Sequence, residues 1–142
     1  MKPLKPTCVA VLIVFAVAGC KLTSSSPSAT FKAYFEAQKK KDVAGIKKTL
    51  SKSSLDMMEK AAKEQNKTVD KALTEGLESP AGKSDKTPET RNEKIDGNNG
   101  TLEVQNEQTK KWDIVYFVKE DGEWKIALDK TIEEMFKGLA VP

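Results

Sequence analysis

The chain of 142 residues contains no histidine. That removes imidazole general bases, imidazole metal ligands and imidazole pH switches from the chemistry open to it. Cysteine is almost as scarce, with two residues, and aromatic side chains make up only 6%. Charge of one sign is lacking too. Lysine and arginine number 24 against 21 acids, a formal net charge of +3. A balance this close to neutral, without a basic cluster, argues against nucleic acid as a partner. There is no glycine-rich phosphate loop, no Gly-x-Ser-x-Gly nucleophile motif, no calcium loop and no metal-ligand spacing. The expectation is therefore no cofactor, no metal and no catalytic motif. The length fits one small domain able to bury about 65% of its unfolded surface, so folding needs no disulfide.

What the chain does have is an organised N-terminus. Lys2 and Lys5 precede an unbroken apolar run at residues 9–18, followed by Gly19 and Cys20. Ten helical residues span about 15 Å, half of a bilayer core, so the run reads as a signal-peptide core and not as a membrane span. Cys8 lies in the same leader and leaves with it, which makes Cys20 the one cysteine of the mature chain. Residues 22–28 are small and polar and read as a tether.

Val17, Ala18, Gly19 and Cys20 resemble the lipobox of bacterial lipoproteins. The resemblance implies cleavage between Gly19 and Cys20, a diacylglycerol thioether on Cys20 and acylation of the new amino group. Two or three acyl chains anchor durably where one does not. Lys21, which is not Asp, implies export to the periplasmic face of the outer membrane if the source is Gram-negative. The domains expected are a leader at 1–19, an acylated cysteine and tether at 20–28, and a single α+β domain at 29–142.

In that domain the apolar period is first helical. Ser26 and Pro27 open a helix carrying Phe31, Tyr34 and Phe35, closed by Lys39, Lys40 and Lys41. Asp42 caps a second helix with Val43, Ile46 and Leu50 on one stripe. Residues 53–56 look like a capping box opening a third, with Leu55, Met58 and Ala62. Residues 68–77 give a fourth, stacked on Val69, Leu73 and Leu77. A loop at 78–88, with two prolines, ends the helical half.

The period then changes to two. Strands are expected at 89–96, 101–108, 112–119 and 124–129, with turns at 96–100 and 120–123. Leu102 and Val104 should point inward, as should Trp124, Ile126 and Leu128 against Lys125, Ala127 and Asp129. A last short helix bears Ile132, Met135, Phe136 and Leu139. Helices first and strands after them give an α+β fold: N-terminal helices packed on a curved antiparallel sheet of about four strands, with a short C-terminal helix.

The step Lys41, Asp42, Val43, Ala44, Gly45, Ile46, and the meander at 93–128 with its Asp121-Gly122 turn running into Trp124, Lys125 and Ile126, resemble nuclear transport factor 2-like domains of small bacterial lipoproteins. The resemblance implies a cone, with a pocket at its wide end. Some members are isomerases or dehydratases, and others bind a ligand or dimerise through the sheet. No enzyme motif of the family maps onto this chain.

Candidate sites follow. Tyr34, Trp112, Tyr116 and Trp124 are candidates to line a pocket for a small apolar ligand, against the plainer reading that they are core. The strand at 112–119 is apolar on both faces. Val115 and Phe117 are the candidate interface for a homodimer or an envelope partner, the plainer reading being that they pack under the tail helix. Asp113, with Tyr34 or Tyr116, is the acid that an isomerase or hydrolase reading would use. The helical lysines, interspersed with acids, read as a solvated face. The function expected is a lipid-anchored envelope protein of binding or scaffolding type. The alternatives are the acid-using enzyme and an assembly lipoprotein with an exposed sheet face.

Overall fold

A computed structural model describes residues 25–79 and 86–139. Gly19, Cys20, Lys21 and most of the tether lie outside the described residues, as does part of the loop at 78–88. The architecture is α+β. Four helices precede a four-stranded antiparallel meander, order β1-β2-β3-β4, and a fifth helix closes the chain.

Capping chemistry sets the helix starts. Helix α1 (Pro27–Lys39) begins behind Ser26, whose side chain accepts from the Ala29 amide, with proline in its first turn. Asp42 accepts from the Gly45 amide and starts α2 (Val43–Thr49). Thr68 does the same for α4 (Val69–Glu78). Helix α3 (Lys52–Glu64) starts earlier than the capping box at 53–56 implied. Its cap is Ser51, whose side chain accepts from the Ser54 amide. The reason is tertiary. The Ser51 amide donates to the Ile126 carbonyl at 2.9 Å, and Leu50 bridges Ile126 in parallel, so the sheet pins the chain just ahead of the helix.

The strands are β1 (Thr90–Asp96), β2 (Asn99–Gln105), β3 (Trp112–Glu120) and β4 (Glu123–Ile126). Between β3 and β4, Asp121 and Gly122 both take positive φ, 50° and 80°, as a two-residue turn matched to strand twist requires. β2 ends at Gln105 and not at residue 108, because the Asn106 side chain accepts from the Gln108 and Thr109 amides and turns the chain. β4 is also shorter than expected. The Leu128 amide donates to Ser54 Oγ at 2.8 Å instead of to a neighbouring strand, so helix α5 (Leu128–Leu139) starts there and Ala127 is buried, not outward.

The core lies between the helical layer and one face of the sheet. Phe31, Ile46, Leu50, Leu77, Leu102, Phe117, Trp124 and Ile126 form it. Trp124 packs as a lid-side wall against α1, where Thr30 Oγ1 donates to the Trp124 carbonyl at 3.0 Å. Gly100 of β2 allows a close approach: a Cβ there would sit 2.9 Å from Pro27 Cγ and 3.2 Å from Trp124 Cζ3. β1 is the free edge of the sheet and is exposed along its whole length. A register break between Arg91 and Lys94, with Asn92 at φ 50°, and its charged side chains discourage pairing with another strand.

Candidate functional site

Strand β3 decides which surfaces are open for function. Its register sets Phe117 beside Gly100 and Ile126, and Val115 beside Leu102, all on the helix side. Phe117 is 1% exposed and Val115 packs against the core. The expectation that this pair forms an exposed interface is therefore corrected: they are the inner face. They pack in the core with residues of the helical layer such as Phe31 and Ile46, and Leu128 of α5 packs against the same cluster.

The other face of β3 turns outward. Ile114 is 47% exposed, and Trp112 lies under the Arg91 guanidinium, 3.9 Å from the ring centroid. Arg91 Nε also donates to Glu103 at 2.6 Å, which holds Glu103 below the ordinary carboxylate range and ties β1 to β2. Tyr116 is half-buried. Its amide donates to Thr131 Oγ1 at 3.1 Å and its carbonyl accepts from the Ala127 amide at 2.8 Å, so α5 takes over this edge where β4 has ended.

The four aromatic candidates are not brought together. Trp112 and Tyr116 face out and Trp124 faces in. Tyr34 packs beside the core on α1, where burial pushes its hydroxyl pKa up, partly offset by the bond from Gln38 Nε2 at 3.0 Å. Asp113 is exposed, 3.5 Å from Asn106 Nδ2, and being an odd-numbered neighbour on β3 it lies on the opposite face from Tyr116. That pair cannot share one proton relay.

The described clefts open between elements at the surface, and one of them reaches Phe117 of the core. One of about 330 Å³ runs between α5 and the sheet, flanked by Asn99, Thr101, Tyr116, Lys130 and Glu133. Lys130 Nζ donates to Asn99 Oδ1 at 3.0 Å, and Lys137 bonds both Glu133 and Glu134 at 2.8 Å, raising the Lys137 pKa. A second, of about 460 Å³, sits among α2, α3 and α4. Its lysines are engaged: Lys47 with Asp70, Lys63 with Glu59, Lys67 with Glu75. In the second cleft every lining lysine is paired with an acid, whereas Lys130 in the first bonds the neutral Asn99.

Two features escaped the sequence reading. The first is a polar joint between α3 and α5. Ser54 Oγ is fully buried, accepts from the Leu128 amide and lies 3.0 Å from Asp129 Oδ1 and 2.6 Å from Ser51 Oγ, while Ser53 Oγ donates to Asp129 Oδ2 at 2.7 Å. Ser51 donates to Ser54, and the Ser54 hydroxyl proton is shared between Asp129 and, at 3.2 Å, the Ile126 carbonyl. Burial pushes the Asp129 carboxyl up, and the bonds from Ser53, Ser54 and the Lys130 and Asp129 amides together outweigh it and hold it below its ordinary value. Three serines in four residues were the available signal, but their partner is 75 residues away. The second is the outer side of α5. Met135 and Phe136, tail-helix residues in the plainer reading of the strand at 112–119, are 60% and 65% exposed, and Ile132 beside them is 40%.

Among the described residues no helix is long and apolar enough to cross a membrane, and no group of three acids or cysteines could hold a metal ion. No family model, no curated protein and no solved structure matches the chain.

Proposed function

We propose that the protein is an exported lipoprotein held to the cell envelope through Cys20, with a nuclear transport factor 2-like domain that works as a scaffold or binding surface and not as a catalyst. The periplasmic face of the outer membrane is its place in a Gram-negative cell. One structural observation supports the scaffolding reading above the others: the space between helices and sheet is occupied by the protein's own side chains. Ile46, Leu102 and Phe117 are each 1% exposed there. A small apolar ligand has its natural home in such an interior, and here these side chains occupy it. The acid-using enzyme reading loses its pairing of Asp113 with Tyr116. Binding work then falls to the outer surface, whether to a second copy or to another envelope protein.

The anchor is tested by replacing Cys20 with Ser and following labelled palmitate. Loss of label and release from membranes is the expected result. Continued labelling ends the reading. The filled interior has its own test. Native mass spectrometry of the purified chain should show the mature lipidated polypeptide alone, and a stoichiometric small molecule riding with it would overturn the scaffold.

A further inference from the structure

Helix α5 is polar and apolar on different sides, and the polar side is engaged along its length whereas the apolar side is engaged only at Leu128. Asp129 bonds Ser53 and Ser54, Lys130 bonds Asn99, and Lys137 bonds Glu133 and Glu134. On the other side Leu128 reaches the core, but Ile132, Met135 and Phe136, spaced i, i+3, i+4, do not. They are three of the five large apolar residues exposed among the described ones. Such a stripe needs a cover.

We propose that the cover is a lipid bilayer: α5 seats the domain on the membrane that carries the anchor. The proposal rests on lipidation of Cys20. The described chain begins at Ser25, five residues after Cys20. Five extended residues reach at most about 18 Å. A domain of this size has a radius of gyration of about 13 Å, so the tether is shorter than the body is wide and holds it against the headgroups.

Pro27, at the start of α1, packs against Gly100, and Gly100 flanks the cleft that holds Lys130 and Glu133 on the polar side of α5. The arriving chain thus enters at the Asn99–Gly100 end of the sheet, the end over which α5 also lies, with its apolar stripe turned away from that cleft.

A second copy is the weaker occupant. Helix α5 has 12 residues, about 18 Å of length. The three apolar side chains exposed among its described residues fall short of the roughly 800 Å² per partner of a standard interface. Shallow insertion beside an existing lipid anchor needs no such area.

The test uses the full chain, expressed in a bacterial host, purified from membranes and reconstituted in phosphatidylcholine and phosphatidylglycerol vesicles. With Cys20 acylated, Met135→Cys on α5 or Lys60→Cys on α3 supplies one reactive thiol for an environment-sensitive fluorophore. The expected result is a blue-shifted emission at position 135 that doxyl-labelled lipids quench, and neither effect at position 60. A blue shift without lipid quenching means a protein covers the stripe and overturns the proposal. An aqueous emission at 135 with the chain still in the vesicle fraction overturns the seat and leaves the anchor standing. A parent chain that is soluble and takes the fluorophore on Cys20 overturns the anchor, and the seat with it.

Discussion

Replacing Ser54 with Ala should unfasten α5 from α3, and the size of the effect follows from the bonds lost. Ser54 is 0% exposed, so no water enters to replace its hydroxyl. The Leu128 amide loses its acceptor at 2.8 Å, and an unsatisfied buried donor costs about 1–3 kcal/mol. The Asp129 carboxylate loses one bond but keeps Ser53 and solvent, so its share is under about 1 kcal/mol. Alanine leaves almost no void. The buried Ser51 hydroxyl also loses its partner at 2.6 Å, and the sum is roughly 2–4 kcal/mol, a large part of the 5–15 kcal/mol that holds a small domain together. Ser53→Ala removes only an exposed bond to the same carboxylate and should cost less than about 1 kcal/mol. Equilibrium urea unfolding of the two variants, followed by tryptophan fluorescence, gives the comparison. Hydrogen exchange at the Leu128 amide localises it, since protection there should collapse in Ser54→Ala alone. Equal costs for the two variants, or a Leu128 amide still protected, would refute the reasoning.

Other outcomes follow from the same geometry. Phe117→Ala should cost about 3–5 kcal/mol and Ile114→Ala less than about 1 kcal/mol in thermal or urea unfolding, and the reverse order would mean that β3 is turned over. Gly100→Ala should cost about 1–3 kcal/mol, because the new methyl must displace Pro27 or Trp124. The pH dependence has a definite sign. Asp129 is depressed from its ordinary value of 3.8, so the folded state binds its proton less readily than the unfolded chain does. Its stabilisation is complete above about pH 4 and fades as pH falls further through the folded value. Asp129→Asn should therefore flatten the acid limb of the stability curve, and an unchanged limb would show that Asp129 has no part in it.

How much of this could be read from residues alone divides along one physical line. Most of what depends on neighbours in sequence was legible, the Asn106 turn that ends β2 being the exception. The caps Ser26, Asp42 and Thr68, the Asp121-Gly122 turn, the change of apolar period after residue 88 and the α+β order follow from local hydrogen bonding and from the different repeat of helix and strand. The alternation along β3 was legible too, as two sets of residues on opposite faces.

Which set faces inward was not. Trp112, Ile114 and Tyr116 are as apolar as Val115 and Phe117, and only the arrival of α1 and α2 on one side of the sheet breaks the tie. The same holds for Ser51 as the cap of α3, for the early end of β4 and for the serine joint. Each depends on Ile126, Leu128 or Asp129 meeting residues some 75 positions away. Pattern in the sequence is a property of the chain's own repeat. The side on which a strand is buried, and the helix stripe left without a neighbour, belong to contacts between segments, and those exist only once the layers have packed.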